Sequence, residues 1–285
     1  MQNQDTYYYG ILPDVHFRFS SAEISYAVTA ASNLHGFDDA GTELLARTML
    51  SAFFLADLVK EETKLSVQIR FYDNSEIHSV LAYSTRDGRM KATLRHRPEE
   101  DIESGPISEE NIGILKVFRW KNGECIYQSI VPFRNLSFEE NIENYLRDSE
   151  QVPSFLIAYV KLDGLHWRVK GILLQALPEA KQEHIDAVRE WAGDLEAKKN
   201  QVFDKTVSEA LAELQVLWNT KLDILEEGRP EYRCDCSEEK IKELIQNLGK
   251  EEAMDIAEEQ GQIEVTCEFC NSIYRFPKDR VLELF

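Results

Sequence analysis

Cys234-Asp235-Cys236 and, after thirty intervening residues, Cys267-Glu268-Phe269-Cys270 carry four of the five cysteines of this chain. Two close pairs joined by a foldable insert supply four sulfur ligands. That set suits the tetrahedral geometry and soft-ligand tolerance of zinc. With every coordination position taken by a protein thiolate, none is left for water or substrate, so the spacing predicts a closed, structural site rather than a catalytic one. Cys-x-Cys is also an uncommon first half, since most zinc knuckles place two or more residues between ligands. Two structural disulfides or four unrelated core cysteines are the alternatives. A disulfide framework belongs to small secreted domains, whereas this chain is long and opens on the polar Met1-Gln2-Asn3-Gln4-Asp5 without a charged-then-apolar signal segment. Reduced thiols in the cytoplasm are the expectation.

Around these cysteines the sequence resembles the redox-regulated holdase chaperones, heat-shock proteins of about this mass. The resemblance is carried by the Cys-x-Cys, Cys-x-x-Cys spacing, by RCDCS (233–237) followed by the helical EEKIKELI (238–245), and by GQIEVTCEFC (261–270) with Tyr274 and Phe276. Upstream, YLRDSEQVPS (145–154) and GILLQALP (171–178) also match. The first forty residues match least, beyond Phe17-Arg18-Phe19.

The resemblance implies a holdase that works without nucleotide: inactive when reduced, with one zinc ion per chain on Cys234, Cys236, Cys267 and Cys270, and active when oxidised. It implies the disulfide couples Cys234 with Cys236 and Cys267 with Cys270, a homodimer in the oxidised form, and unfolding client proteins as partners. It further implies that the segment before the cysteines becomes disordered on activation and takes part in client binding. The candidate client-binding side chains there are Trp191, Leu195, Leu211, Leu214 and Trp218.

A physical argument for a switch stands beside the resemblance. Glu231 to Phe285 is a length at which an apolar core alone is barely sufficient, while structural zinc supplies roughly 10–16 kcal/mol of apparent folding free energy. Oxidation of the thiolates destroys the ligands and so unfolds the region. Apolar stripes that depend on it for packing are then released. Asp235, Glu238, Glu239, Glu264 and Glu268 flank the cysteines and either oppose the free thiolate or form an ordinary solvated surface.

Composition agrees with a globular protein: 43% of residues are hydrophobic, enough for a packed core. The net charge of −19, from 32 basic and 51 acidic residues, sets the average surface against nucleic acid and anionic membrane. No Walker, GxGxxG, GxSxG or HExxH motif occurs, and the six histidines are scattered without ligand spacing. No enzyme activity is expected. Two rival readings remain open: a constitutive zinc-stabilised binding adaptor, and an enzyme with an unrecognised pocket.

Along the chain, Tyr7 to Phe19 reads as an early strand, Ser21 to Leu34 as a helix, and a second, unusually apolar helix capped by Asp38 or Asp39 runs through Leu44 to Val59. Arg47 and Asp57 interrupt that helix, which makes it a core element and not a membrane span. Alternation predicts strands over Leu65–Phe71 and Ile77–Tyr83 after the turn-rich Asp73-Asn74-Ser75, with a hairpin turn at Arg86-Asp87-Gly88-Arg89. Leu115–Trp120 and Ile126–Val131 flank a turn over 121–124, with Cys125 as a half-buried structural thiol. Ser137 and Glu140 form a capping box for a helix over Phe138–Leu146, and a hairpin about Asp163-Gly164 joins strands beginning at Phe155 and Trp167. Lys181 to Glu227 holds no proline and predicts two amphipathic helices with Ile185, Val188, Ala192, Leu195, Val207, Leu211, Leu214, Trp218, Leu222 and Leu225 inward. The expected class is therefore α+β: an N-terminal domain (1–179) of antiparallel sheets with helices, a helical linker (180–230), and a small C-terminal four-cysteine zinc-binding domain (231–285).

Overall fold

The computed structural model describes residues 5–59, 62–72, 76–97 and 111–285. The opening Met1–Gln4 and the expected turn at Asp73-Asn74-Ser75 lie outside them. The chain divides into two compact units, Met1–Tyr232 and Arg233–Phe285.

In the first unit, β1 (Thr6–Leu12) turns through Pro13–Val15 into β2 (Phe17–Glu23), followed by α1 (Ser25–His35) and α2 (Asp39–Ala56). Next come β3 (Thr63–Phe71), β4 (Ile77–Thr85), β5 (Arg89–His96), β6 (Asn111–Lys121) and β7 (Glu124–Arg134). Then follow α3 (Phe138–Tyr145), β8 (Ser154–Asp163), β9 (His166–Ala176), α4 (Gln182–Val202), α5 (Val207–Leu217), β10 (Asp223–Gly228) and the short β11 (Glu231–Tyr232). One sheet has the order β10-β1-β2-β9-β8 and the other β11-β5-β4-β3-β6-β7. Every pairing is antiparallel except that of β11 with β5.

The apolar helix α2 is the centre. Asp38 caps it by accepting from Gly41 N, and Leu45, Met49, Leu50, Phe53, Phe54 and Leu55 are all buried. A helix that is apolar on nearly every side must be covered on every side. It lies between the sheets, in one core with Leu65, Val67, Val80, Ala82, Leu115 and Val117 of the second sheet and Tyr7, Tyr9, Ala22, Leu156, Val169 and Leu173 of the first. Because side chains alternate across a strand, the neighbours of these residues in the first sheet, Phe17, Phe19, Ile157, Tyr159, Ile172 and Leu174, point to its other face. There they pack with Val188, Leu195, Phe203, Val207, Leu211, Leu214 and Trp218 of α4, α5 and the adjoining turns. The first sheet is thus buried on both faces.

The helical cover also carries polar attachments. Arg168 of β9 donates to Asp204 Oδ1 at 2.5 Å and Asp204 O at 2.7 Å, and Lys170 donates to Lys205 O at 2.5 Å, fixing the α4–α5 turn. Thr220 donates to Asp14 at 3.1 Å just after α5. Thr206 and Glu209 form a capping box at the start of α5.

Several expectations change against this frame. The early strand is two strands, separated by a turn that ends in left-handed His16 (φ 53). Residues 21–23, expected to be helical, continue β2, because that stretch pairs with β1 on one side and β9 on the other; the helix starts only at Ser25. Leu222 and Leu225 do not belong to a helix: Asp223–Gly228 forms β10 on the edge of β1, and Leu225 is 70% exposed. Cys125 is exposed and not half-buried, on a β7 position opposite Trp120 at a bulge. Other local readings hold. Ser137 and Glu140 form the capping box, and the turn at Asn122 and Gly123 takes the two positive φ angles, 52° and 85°, of a tight hairpin.

The start of α1 has no side-chain cap from its own N-cap residue, Ile24. Asp5 supplies it instead, accepting from Tyr26 N and Ala27 N at 2.9 Å each. Burial raises the Asp5 pKa from 3.8 to about 7 against those two hydrogen bonds. The folded chain therefore binds more protons than the unfolded chain between those pH values, and the stability due to Asp5 falls as pH rises through that window. Urea unfolding followed by the fluorescence of Trp120, Trp167, Trp191 and Trp218, all of the first unit, should show a shallower fall from pH 4 to 7 in Asp5→Asn than in the parent.

Candidate metal centre

The second unit builds its site from two local devices. After Arg233 the chain runs without regular secondary structure through Cys234 and Cys236 to Ser237, whose side chain caps α6 (Glu238–Leu248) by accepting from Lys240 N. Helix α7 (Lys250–Gln260) ends at left-handed Gly261 (φ 79), and β12 (Gln262–Thr266) pairs with β13 (Ile273–Pro277) as a hairpin, closed by α8 (Lys278–Leu282). Cys267 and Cys270 occupy the hairpin turn. Cys267 N donates to Ser272 O and Asn271 N to Cys267 O, both at 2.9 Å, with Asn271 in the left-handed region (φ 55).

The four sulfurs converge. Cys234, Cys236, Cys267 and Cys270 have their Sγ atoms within 4.8 Å of one another. Cys234 Sγ is 3.6 Å from Cys267 Sγ, and Cys236 Sγ is 3.4 Å from Cys270 Sγ. A tetrahedron with Zn–S bonds of about 2.3 Å sets its sulfurs roughly 3.8 Å apart. The donor set and its spacing fit such an ion, and all five cysteines of the chain are free thiols.

As thiols, the four are unequal. Burial raises the pKa of Cys234, with the neighbouring thiols Cys236 and Cys267 adding to it, and burial likewise raises Cys236. At Cys270 burial also acts upward, but hydrogen bonds from the Ser272 side chain and backbone outweigh it and bring the pKa from 9.0 down to about 7. A bound cation favours the deprotonated form of all four. Three of the flanking acids are ion-paired: Asp235 with Lys240 at 3.1 Å, Glu238 with Lys242 at 2.9 Å and Arg280 at 2.5 Å, and Glu264 with Arg275 at 2.7 Å.

Sequence reasoning missed the donors around the sulfurs. The Tyr274 hydroxyl donates to Cys236 Sγ at 3.1 Å, which raises the Tyr274 pKa to about 12, and Ser272 Oγ lies 3.2 Å from Cys270 Sγ. Hydroxyl residues two and four positions beyond the last cysteine were the available signal. Such partners orient metal ligands and tune their basicity.

The core behind the site is small: Ile241, Ile245, Ala253, Ala257, Ile263, Phe276 and Val281 are its buried members. Of the other predicted residues, Trp191 and Trp218 stack at 5.5 Å in the first unit, where Leu195, Leu211 and Leu214 are buried beside Trp218. Cys125 belongs to the first unit, where its Sγ donates to Tyr127 O at 3.3 Å.

Comparison with known proteins follows the same lines. A family model described as Hsp33 protein matches residues 5–277. The 33 kDa chaperonin of Thermotoga maritima is 26% identical to this chain over 97% of it and 96% of the relative. That of Thermus thermophilus is also 26% identical, over 96% and 85%. The crystal structure of the Thermotoga maritima protein, a heat shock protein 33 homolog, superposes with a TM-score of 0.81 at 24% identity, covering 98% of this chain and 97% of that one, a likeness of fold.

Two outcomes test the centre. Zinc titrated into reduced, metal-free chain should bind at one equivalent, and Cys267→Ser should lose that binding. A strong chelator should remove helical circular dichroism, since about 10–16 kcal/mol of folding free energy is withdrawn from the second unit.

Proposed function

Because the chain belongs to the Hsp33 protein family, we propose that it is a redox-regulated, ATP-independent holdase of the cytoplasm, held inactive by zinc on Cys234, Cys236, Cys267 and Cys270. The observation that carries this reading is the convergence of four thiols in a small unit with a modest apolar core.

Oxidation proceeds within each close pair. One thiolate attacks the peroxide O–O bond and becomes a sulfenic acid; the second thiolate attacks that sulfur and expels hydroxide. For each couple, two thiolates, one peroxide and two protons yield a disulfide and two waters, and the ligands are lost. The couples are Cys234 with Cys236 and Cys267 with Cys270. The second unit then unfolds for lack of metal.

Release passes up the chain into the cover. Three features favour α4 and α5 as the element that lets go. Their outward faces are charged and exposed, so packing on the first sheet is what sustains them. Their turn is held by exposed polar contacts from Arg168 to Asp204. Trp218 Nε1 is buried with no acceptor among the described residues, a cost of roughly 1–3 kcal/mol that release into water removes. Once free, Trp191, Leu195, Leu211, Leu214 and Trp218 offer an apolar stripe to unfolding proteins, and the uncovered sheet face offers Phe17, Phe19, Tyr159 and Ile172. The oxidised chain acts as a homodimer. The charge of −19 keeps client complexes soluble.

The test follows zinc release, helical circular dichroism and suppression of client aggregation together, before and after peroxide at elevated temperature and again after a thiol reductant. All three should change together and reverse together. Zinc loss and unfolding without suppression would make the centre only a structural staple, as in an adaptor. Tryptophan emission should shift to the red on activation, and most of that shift should vanish in the Trp191→Phe, Trp218→Phe double variant.

A further inference from the structure

β10 is an edge strand with little to hold it. It pairs with β1 as Tyr7 with Gly228, Tyr8 with Glu227, Tyr9 with Glu226, Gly10 with Ile224 and Ile11 with Asp223, Leu225 bulging between. Ile224 is 51% exposed and Leu225 70%, so its side chains bury almost no apolar area. Apart from backbone pairing, its anchor is Glu226, which accepts from the Tyr7 hydroxyl at 3.3 Å and from Arg86 at 2.9 Å. Asp223, Glu226 and Glu227 make it an acidic edge, the kind that resists pairing with another chain.

β1 beneath it is the opposite. Thr6-Tyr7-Tyr8-Tyr9-Gly10-Ile11-Leu12 has no charge and strong strand propensity. It is fixed in place independently of β10: it pairs along its whole length with β2, and the Tyr7 and Tyr9 rings sit 5.4 and 5.9 Å from Phe53 of the central helix. Removing β10 leaves a rigid, uncharged strand with a row of unsatisfied backbone groups, which is a template for strand addition. β10 follows α5 and ends five residues before Arg233, so it lies on the covalent path between the helical cover and the metal unit.

We propose that the β1 edge is a polypeptide-docking site, and that on activation an extended segment of an unfolding protein pairs there in place of β10. The inference rests on the holdase reading above. The resident strand shows what the site recognises: β10 is bound through its backbone while Ile224, Leu225 and Glu227 point to solvent. An edge that reads backbone rather than side chains accepts polypeptides of unrelated sequence. Gly228 adds one restriction, since a Cβ there would come within 2.4 Å of the Tyr7 ring, so a small residue is favoured opposite Tyr7.

Hydrogen exchange by mass spectrometry on the full chain tests this, with reduced and carboxamidomethylated α-lactalbumin as a permanently unfolded probe and aggregation suppression measured on the same preparation. After peroxide and warming, the amides of Asp223–Gly228 and those amides of Tyr7–Leu12 that face β10 should lose protection while α2 keeps it; the probe should restore the β1 amides but not Asp223–Gly228. A synthetic peptide of residues 221–229 should displace the probe, and its N-methylated counterpart should not. Suppression of aggregation with β1 protected throughout, or with β1 still unprotected when the probe is bound, overturns this inference and leaves the holdase reading standing. Protection of β1 regained without probe, in proportion to chain concentration, assigns the edge to a second copy and also overturns it. Absence of any suppression removes both.

Discussion

A unit of about fifty residues buries only a modest apolar surface and is marginal by itself, and the second unit here has a short core membership: two isoleucines on α6, two alanines on α7, then Ile263, Phe276 and Val281. The four sulfurs are the remedy. Two local elements place them in pairs: Ser237 ends the segment that carries Cys234 and Cys236 by starting α6, and the β12–β13 hairpin presents Cys267 and Cys270 in its turn. With a cation on those thiolates, folding and metal binding would be one equilibrium, and chemistry that consumes the thiolates would act on structure directly.

The first unit solves the opposite problem. Its central helix is so apolar that it needs a sheet on each side, and the first of those sheets carries large apolar residues on its outer face as well. That outer face has to be covered by something. The covering helices bring their own apolar stripe, so two sticky surfaces neutralise each other, and a modest change in the cover's stability exposes both at once. β10 completes the arrangement at the sheet edge, laying a short acidic strand along an uncharged, tyrosine-rich one. The face and the edge are screened by consecutive pieces of one segment.

What could be read locally was read because the signal was local. Ser137 with Glu140, an Asp38 or Asp39 cap before α2 that the structure assigns to Asp38, and the tight hairpin at Asn122 and Gly123 depend on neighbours within four residues. The misreadings share the opposite cause. Residues 21–23 are strand because β1 and β9 hold them from both sides, and Asp223–Gly228 is strand because β1 offers a free edge; neither partner is visible in the stretch itself. Leu222 and Leu225 continued a helical spacing by coincidence. Cys125, expected half-buried at the start of its strand, lies at a bulge in the β6–β7 pairing and is exposed.

By itself the sequence picked out the four-cysteine cluster, the α+β class and the family resemblance, because cysteine spacing, alternation and capping are written in short stretches. Only the tertiary structure decided that the four sulfurs lie within 4.8 Å, that Tyr274 donates to Cys236, that α4 and α5 cover the sheet carrying Phe17 and Phe19, and that β10 guards β1. Those are contacts between residues far apart in the chain, fixed by the packing of whole elements, and no periodicity within one element encodes its partner.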